Sequence, residues 1–192
     1  MNQSKIQGKI QPIVGYGSPI LREVCLEVEQ SIDKVELLAN DLVTTMLNIG
    51  TAVGLAAPQI NSNLRMFVMK VERGIKPIVV INPVIKKGRM EVRSDEGCLS
   101  IPGVNATVPN RHEVINVEYY DEKLNKQSVK LRGFDAIVFQ HEFDHLNGIL
   151  YTDRLTKEGT EAVKDKLSDI EKGLYKSSSY EMIFPNNPHI QV

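Results

Sequence analysis

Gln140-His141-Glu142-Phe143-Asp144-His145 is the stretch on which the reading of this chain turns. Written as a helix, it sets His141 and His145 one turn apart on the same face, the geometry that chelates a single ion. In helical steps from Phe134, residues Ile137, Val138, His141 and His145 follow the i, i+3, i+4, i+7, i+11 pattern of one apolar stripe. Both imidazoles are therefore expected in the middle of a buried face. The competing interpretation is a pair of ordinary core histidines, each with a hydrogen-bond partner. It would win for a lone histidine; two at this spacing, with a glutamate between them, favour a metal site.

Working outward, the motif helix is predicted from about Phe134, with Gly148 at its C-terminal end. Ahead of it, residues 66–72, 77–85, 112–121 and 126–132 are strand-like, rich in Val, Ile and Tyr. Gly74, Pro83, Gly88 and the Asp121-to-Asn125 turn are expected to break them. An earlier helix is predicted over 33–48, where Val35, Leu38, Leu42 and Met46 make one stripe. Asp33 can cap its start with Glu36 three residues on, and Gly50 closes its end. A last amphipathic helix is predicted from about Lys157 to Leu174, carried by Val163, Leu167, Ile170 and Leu174. Strands grouped first, with helices segregated at either end, predict an α+β fold and one domain over residues 1–192. From Ser177 to Val192 only Met182-Ile183-Phe184 is expected to dock, as a short strand. His112, in a strand, and His189, in the tail, are expected at the surface with no catalytic part.

The chain has 192 residues, 23 basic and 24 acidic, for a net charge of −1. That balance argues against nucleic acid as a main partner and gives no reason to expect a membrane surface. No apolar run approaches the ~20 residues of a membrane span. Met1 to Gln11 lack an apolar core of signal-peptide length. A soluble cytoplasmic protein is expected, its two cysteines reduced. Cys25, in Val24-Cys25-Leu26, reads as a small buried hydrophobe.

A catalytic ion needs a third protein ligand and an open position. Asp153, Glu158 and Glu161 lie downstream, where many His-Glu-x-x-His peptidases take theirs, but none has a convincing setting. Cys98 is the better candidate, in Glu96-Gly97-Cys98-Leu99-Ser100-Ile101-Pro102-Gly103, read as a loop between strands. With Val53-Gly54-Leu55-Ala56-Ala57-Pro58-Gln59 before it and Gln140-His141-Glu142-Phe143-Asp144-His145-Leu146 after it, the chain resembles the peptide deformylase family. Ser18-Pro19-Ile20-Leu21-Arg22 adds to the likeness, which covers roughly Gly17 to Leu155. One departure stands out: the family usually has Gly where this chain has Ala52, which touches the shape of the substrate-facing loop.

The resemblance implies a compact domain with antiparallel β-sheets packed around a central metal-binding helix. It also implies removal of the formyl group from formyl-methionine at the start of new polypeptides, releasing formate, near the ribosome exit and by a monomer. Cys98, His141 and His145 would hold one divalent ion, iron(II) by resemblance, with zinc, nickel and cobalt also compatible. A thiolate ligand lowers the charge of the site from +2 to +1 and makes a milder Lewis acid than three imidazoles would. Glu142 would be general base and then proton carrier. The Gln59 amide and the Leu99 backbone N–H would stabilise the oxyanion. Gly54 would admit the substrate backbone, while Val53, Ile137 and Val138 would line the methionine pocket. Asp144 is read either as a partner of a ligand or an arginine, or as a solvated helix residue. Two rivals remain: an endopeptidase with an acidic third ligand, and a non-catalytic relative whose ion is a structural clip.

Overall fold

The computed structural model describes residues 8–29, 32–71, 76–175 and 177–185. The Asp33 side chain, Gly74, His189 and the rest of 186–192 lie outside the described residues, and with them the roles read for them above. Described are helices α1 (Ile32–Ile49), α2 (Gly133–His145) and α3 (Lys157–Glu171). The strands are β1 (Ile13–Val14), β2 (Gly54–Ala56), β3 (Met66–Met69), β4 (Ile78–Cys98), β5 (Ile101–Tyr120), β6 (Lys126–Arg132) and β7 (Met182–Ile183). Strands β2 to β6 lie side by side in chain order, each antiparallel to the next. Short reversals suffice for such a sheet, so neighbours in sequence become neighbours in space. A second, parallel pair joins β1 to β7. The fold is α+β, as expected.

β4 and β5 depart most from the sequence reading. They are 21 and 20 residues long, whereas the sequence pattern predicts that β4 stops at 85 and β5 begins at 112. Pro83 does not end β4, because the register shifts between Ile81 and Val84, where a missing N–H leaves no ladder bond unmade. A second shift follows between Ile85 and Lys87. At Gly88 a Cβ would lie 2.1 Å from the His112 ring. The glycine thus makes room for a cross-strand imidazole, and His112 is half-buried instead of a surface residue. The segment from Glu96 to Gly103 is likewise no loop. Cys98 pairs with Ile101, leaving only Leu99 and Ser100 to turn the hairpin.

Apolar side chains gather in three clusters around this frame. Val35, Ala39, Leu42, Met46 and Ile49 of α1 meet Met66 and Val68 of β3. Gly50, at φ +76°, follows the last helical residue and releases the chain from the helix. Ala136, Val138 and Phe139 of α2 pack on Phe67, Ile115 and Val117, with Phe139 edge-on to Phe67 at 5.0 Å between centroids. Truncating such a fully buried Phe costs about 3–5 kcal/mol in comparable cores. α3 sends Val163, Leu167 and Ile170 into the third cluster. Leu174, expected on that stripe, is 72 % exposed. Its N–H bonds Asp169 O while that of Gly173, at φ +69°, bonds Ile170 O, so the helix ends before reaching it.

α2 is buried on more sides than one stripe allows. Its fully covered residues include Ala136, Phe139 and His145, whereas Phe134 is 55 % exposed. The stripe read from Phe134 through His141 thus lines a cleft, with Val138 shared between cleft and core, and Ala136 and Phe139 pack on the core from another face.

Candidate active site

The sequence stretches that carry chemistry arrive on separate elements. Cys98 closes β4, His141 and His145 come from the last turns of α2, and Gln59 sits in the 3-10 turn Ala57–Ile60 that follows β2. The Cys98 sulfur and one nitrogen from each imidazole all lie within 4.8 Å of one another. Cys98 Sγ and His145 Nε2 are 3.3 Å apart. His141 Nδ1 shares a 2.8 Å hydrogen bond with Glu96 Oε2, which leaves Nε2 as its free donor atom. One thiol and two imidazoles meeting this closely suit a divalent ion of borderline softness. Among the described residues no acidic group joins the cluster.

The charges around the cluster are sharply sorted. Burial drives the pKa of His145 well below its ordinary value, and His141 and Arg111 push the same way. These effects favour the neutral ring, the state in which imidazole binds metal. Burial opposes charge on His141 too, but Cys98 and Glu96 outweigh it and raise its pKa well above the usual value. Burial would lift Glu96, yet Arg111 and His141 hold it down at about 2. Glu142 lacks an arginine partner: burial pushes it up to about 7, with His141 pulling back and Glu96 adding to the rise. Its Oε2 is sealed from solvent and has no hydrogen-bond partner. A Cβ on Gly54 would lie 2.3 Å from Glu142 Oε1, so this glycine makes the space that the carboxylate occupies.

Behind the cluster runs a buried ionic chain. Arg111, 1 % exposed, donates from Nε and Nη2 to Glu96 at 2.7 and 2.9 Å and from Nη1 to Asp144 at 2.6 Å. Arg154 reaches Asp144 with two bonds of 2.5 Å. Asp144 is thus the arginine partner, not the solvated helix residue. Arg111 links the helix that carries both histidines to Glu96, which orients one of them, and Arg154 holds Asp144 from the other side.

Gln59 is 2 % exposed. Its Oε1 accepts from Ala56 N at 2.9 Å, and its Nε2 points to Cys98 Sγ at 3.4 Å and Ser100 Oγ at 3.3 Å. Leu99 is half-buried at the hairpin turn, and its carbonyl accepts from the Tyr180 hydroxyl. Val53, Gly54, Ile137 and Val138 border a cleft of about 700 Å³ that opens onto Cys98, His141 and Glu142. Ala52 borders it as well.

Glu96, Arg111 and Tyr180 escape the sequence reading. Glu96 has a signal: two residues before Cys98 on a strand, it must share a face with it. Arg111 has none, since its partners lie 15 and 33 residues away.

A family model described as polypeptide deformylase matches residues 10–161. A peptide deformylase of Cytophaga hutchinsonii is 41 % identical over 184 residues, covering 92 % of this chain and 98 % of its own. Another, from Flavobacterium psychrophilum, is 37 % identical over 180 residues, covering 85 % and 92 %. The crystal structure of peptide deformylase from Thermus thermophilus superposes with a TM-score of 0.79 at 41 % identity, covering 86 % of this chain and 99 % of that one. A Plasmodium falciparum peptide deformylase in complex with inhibitor gives 0.76 at 33 % identity, covering 83 % and 99 %. The three motifs, their convergence in space and these likenesses over most of the chain agree: the chain belongs to the polypeptide deformylase family.

Proposed function

We propose that the protein hydrolyses the formyl group from the N-terminal formyl-methionine of new polypeptides, releasing formate and a free amine. The observation that carries this reading is the meeting of Cys98, His141 and His145 beside a buried, partnerless Glu142 oxygen at the end of a cleft. A divalent ion held by those three residues would supply Lewis acidity toward water and the formyl oxygen. Iron(II) is the ion that the resemblance implies; zinc, nickel and cobalt suit the same donors.

Glu142 takes a proton from the attacking water and returns it to the departing nitrogen. A carboxylate pushed up to about 7 is well matched to both tasks near neutral pH. As the formyl carbon becomes tetrahedral, negative charge grows on its oxygen. The Gln59 amide, turned by Ala56 so that Nε2 faces the sulfur, and the Leu99 backbone N–H are the donors for it. Val53, Ile137 and Val138 offer apolar surface to the methionine side chain, and Gly54 keeps the cleft open beside Glu142. We read residues 1–192 as one catalytic domain, working as a cytoplasmic monomer on nascent chains near the ribosome exit.

The endopeptidase reading is less well supported. Asp153 is engaged by Arg22 and by Leu150 N, and Glu158 and Glu161 are exposed on α3. A structural clip would need a fourth protein ligand, and the cluster supplies three among the described residues. The test is formate release from a formyl-Met peptide by anaerobically prepared, ferrous-loaded protein, with an acetyl-Met peptide as control. Formate from the first substrate alone is expected; none from either would overturn the proposal. Cys98→Ala should lose the ion, and stoichiometric metal in that variant would revive the endopeptidase.

A further inference from the structure

The segment Ser177-Ser178-Ser179-Tyr180-Glu181-Met182-Ile183-Phe184 lies beyond the family match, which ends at residue 161. It is nevertheless built into the active site. Ile13 N bonds Glu181 O at 2.8 Å and Gly15 N bonds Ile183 O at 2.7 Å, the ladder that joins β7 to β1. Phe184 is 4 % exposed in the third apolar cluster. A Cβ on Gly15 would lie 2.3 Å from its ring, so the glycine makes the seat for that anchor. Held there, the chain runs back past the cleft, and Ser177 and Tyr180 form part of its wall.

Tyr180 is half-buried, and its hydroxyl donates to the Leu99 carbonyl at 2.8 Å. The next peptide along is held from another side, where Tyr16 N donates to Ser100 O at 2.8 Å. The Ser100 hydroxyl in turn lies 3.3 Å from Gln59 Nε2. A two-residue turn beside a metal ligand is therefore clamped from three directions. One clamp comes from the tail.

We infer that Tyr180 is a positioning residue, which fixes the Leu99–Ser100 turn so that the Leu99 N–H is aimed at the developing oxyanion. This inference rests on the role proposed above for Leu99. Misplacement of a donor by a fraction of an ångström weakens stabilisation of the transition state more than binding of the substrate. Loss of the hydroxyl should therefore appear in kcat and not in KM.

Tyr180→Phe keeps the ring and removes the donor. Relative to wild type, we expect kcat on a formyl-Met peptide to fall about tenfold, less than the roughly 10²–10³ of deleting an oxyanion donor outright. KM should stay within twofold, with full metal content and an unchanged melting temperature. Amide exchange at Leu99 and Ser100 should accelerate severalfold. Phe184→Ala, which unseats the anchor, should lower the melting temperature and reproduce the same loss of kcat. A Tyr180→Phe enzyme with kcat within twofold of wild type, or one that changes only in KM, would overturn the inference. If wild type itself released no formate, the proposed function would fall, and exchange at Leu99 and Ser100 would still decide whether Tyr180 holds the turn; unchanged exchange would refute it.

Discussion

A carboxylate oxygen buried without a partner, as on Glu142, costs a fold stability, and a catalytic role explains its retention. Glu142→Ala is therefore expected to keep the fold, the bound ion and a melting temperature equal to or above that of wild type. Its rate of formate release should drop by about 10²–10⁴, the range attributed to a positioned general base. Metal analysis beside the rate measurement checks both halves; turnover near the native rate would refute the assignment. The three candidate ligands are legible at this scale because each lies in a short, distinctive stretch of sequence. Glu96 is not, since the strand alternation linking it to Cys98 is hidden by Pro83 and Gly88. Arg111 cannot be, because only the folded sheet brings its guanidinium between Glu96 and Asp144.

At the scale of elements, the ionic chain from Glu96 through Arg111 to Asp144 ties β4 and β5 to α2. Arg111→Ala would leave buried Glu96 with only His141 and buried Asp144 with only Arg154. A loss of about 3–5 kcal/mol is expected, as when one partner of a buried pair is removed. Urea unfolding monitored by circular dichroism would measure it, and a loss below roughly one-third of that range would show that Arg154 alone suffices for Asp144. β6 follows the predicted bounds of 126–132, and α1 differs from its expected span by one residue at each end. Both have an uninterrupted period and clear stops. β4 and β5 outrun their sequence signal because Pro and Gly usually end strands, whereas here a bulge takes up one and a cross-strand imidazole fills the space over the other. α2 misleads differently: with neighbours on most sides, its apolar residues mark the cleft wall as well as the core.

For the whole molecule, an ion bound only by the native state must stabilise it by mass action. Free ion at about a hundredfold over its dissociation constant contributes about 2.7 kcal/mol. For a chain of this length that is worth roughly 5–10 °C in melting temperature. Calorimetry of the loaded protein against a chelator-treated sample would show the difference, and identical melting curves would contradict binding by the native cluster.

The Cys98 sulfur and the His145 imidazole are 47 residues apart in the chain, with all of β5 and β6 strung between them. No fragment short of the completed hairpin seated on its helix can present all three donors at once. An ion held by these three residues would therefore be captured only once the hairpin is seated on the helix. Until then the Cys98 thiol would be open to oxidants that a bound ion would exclude.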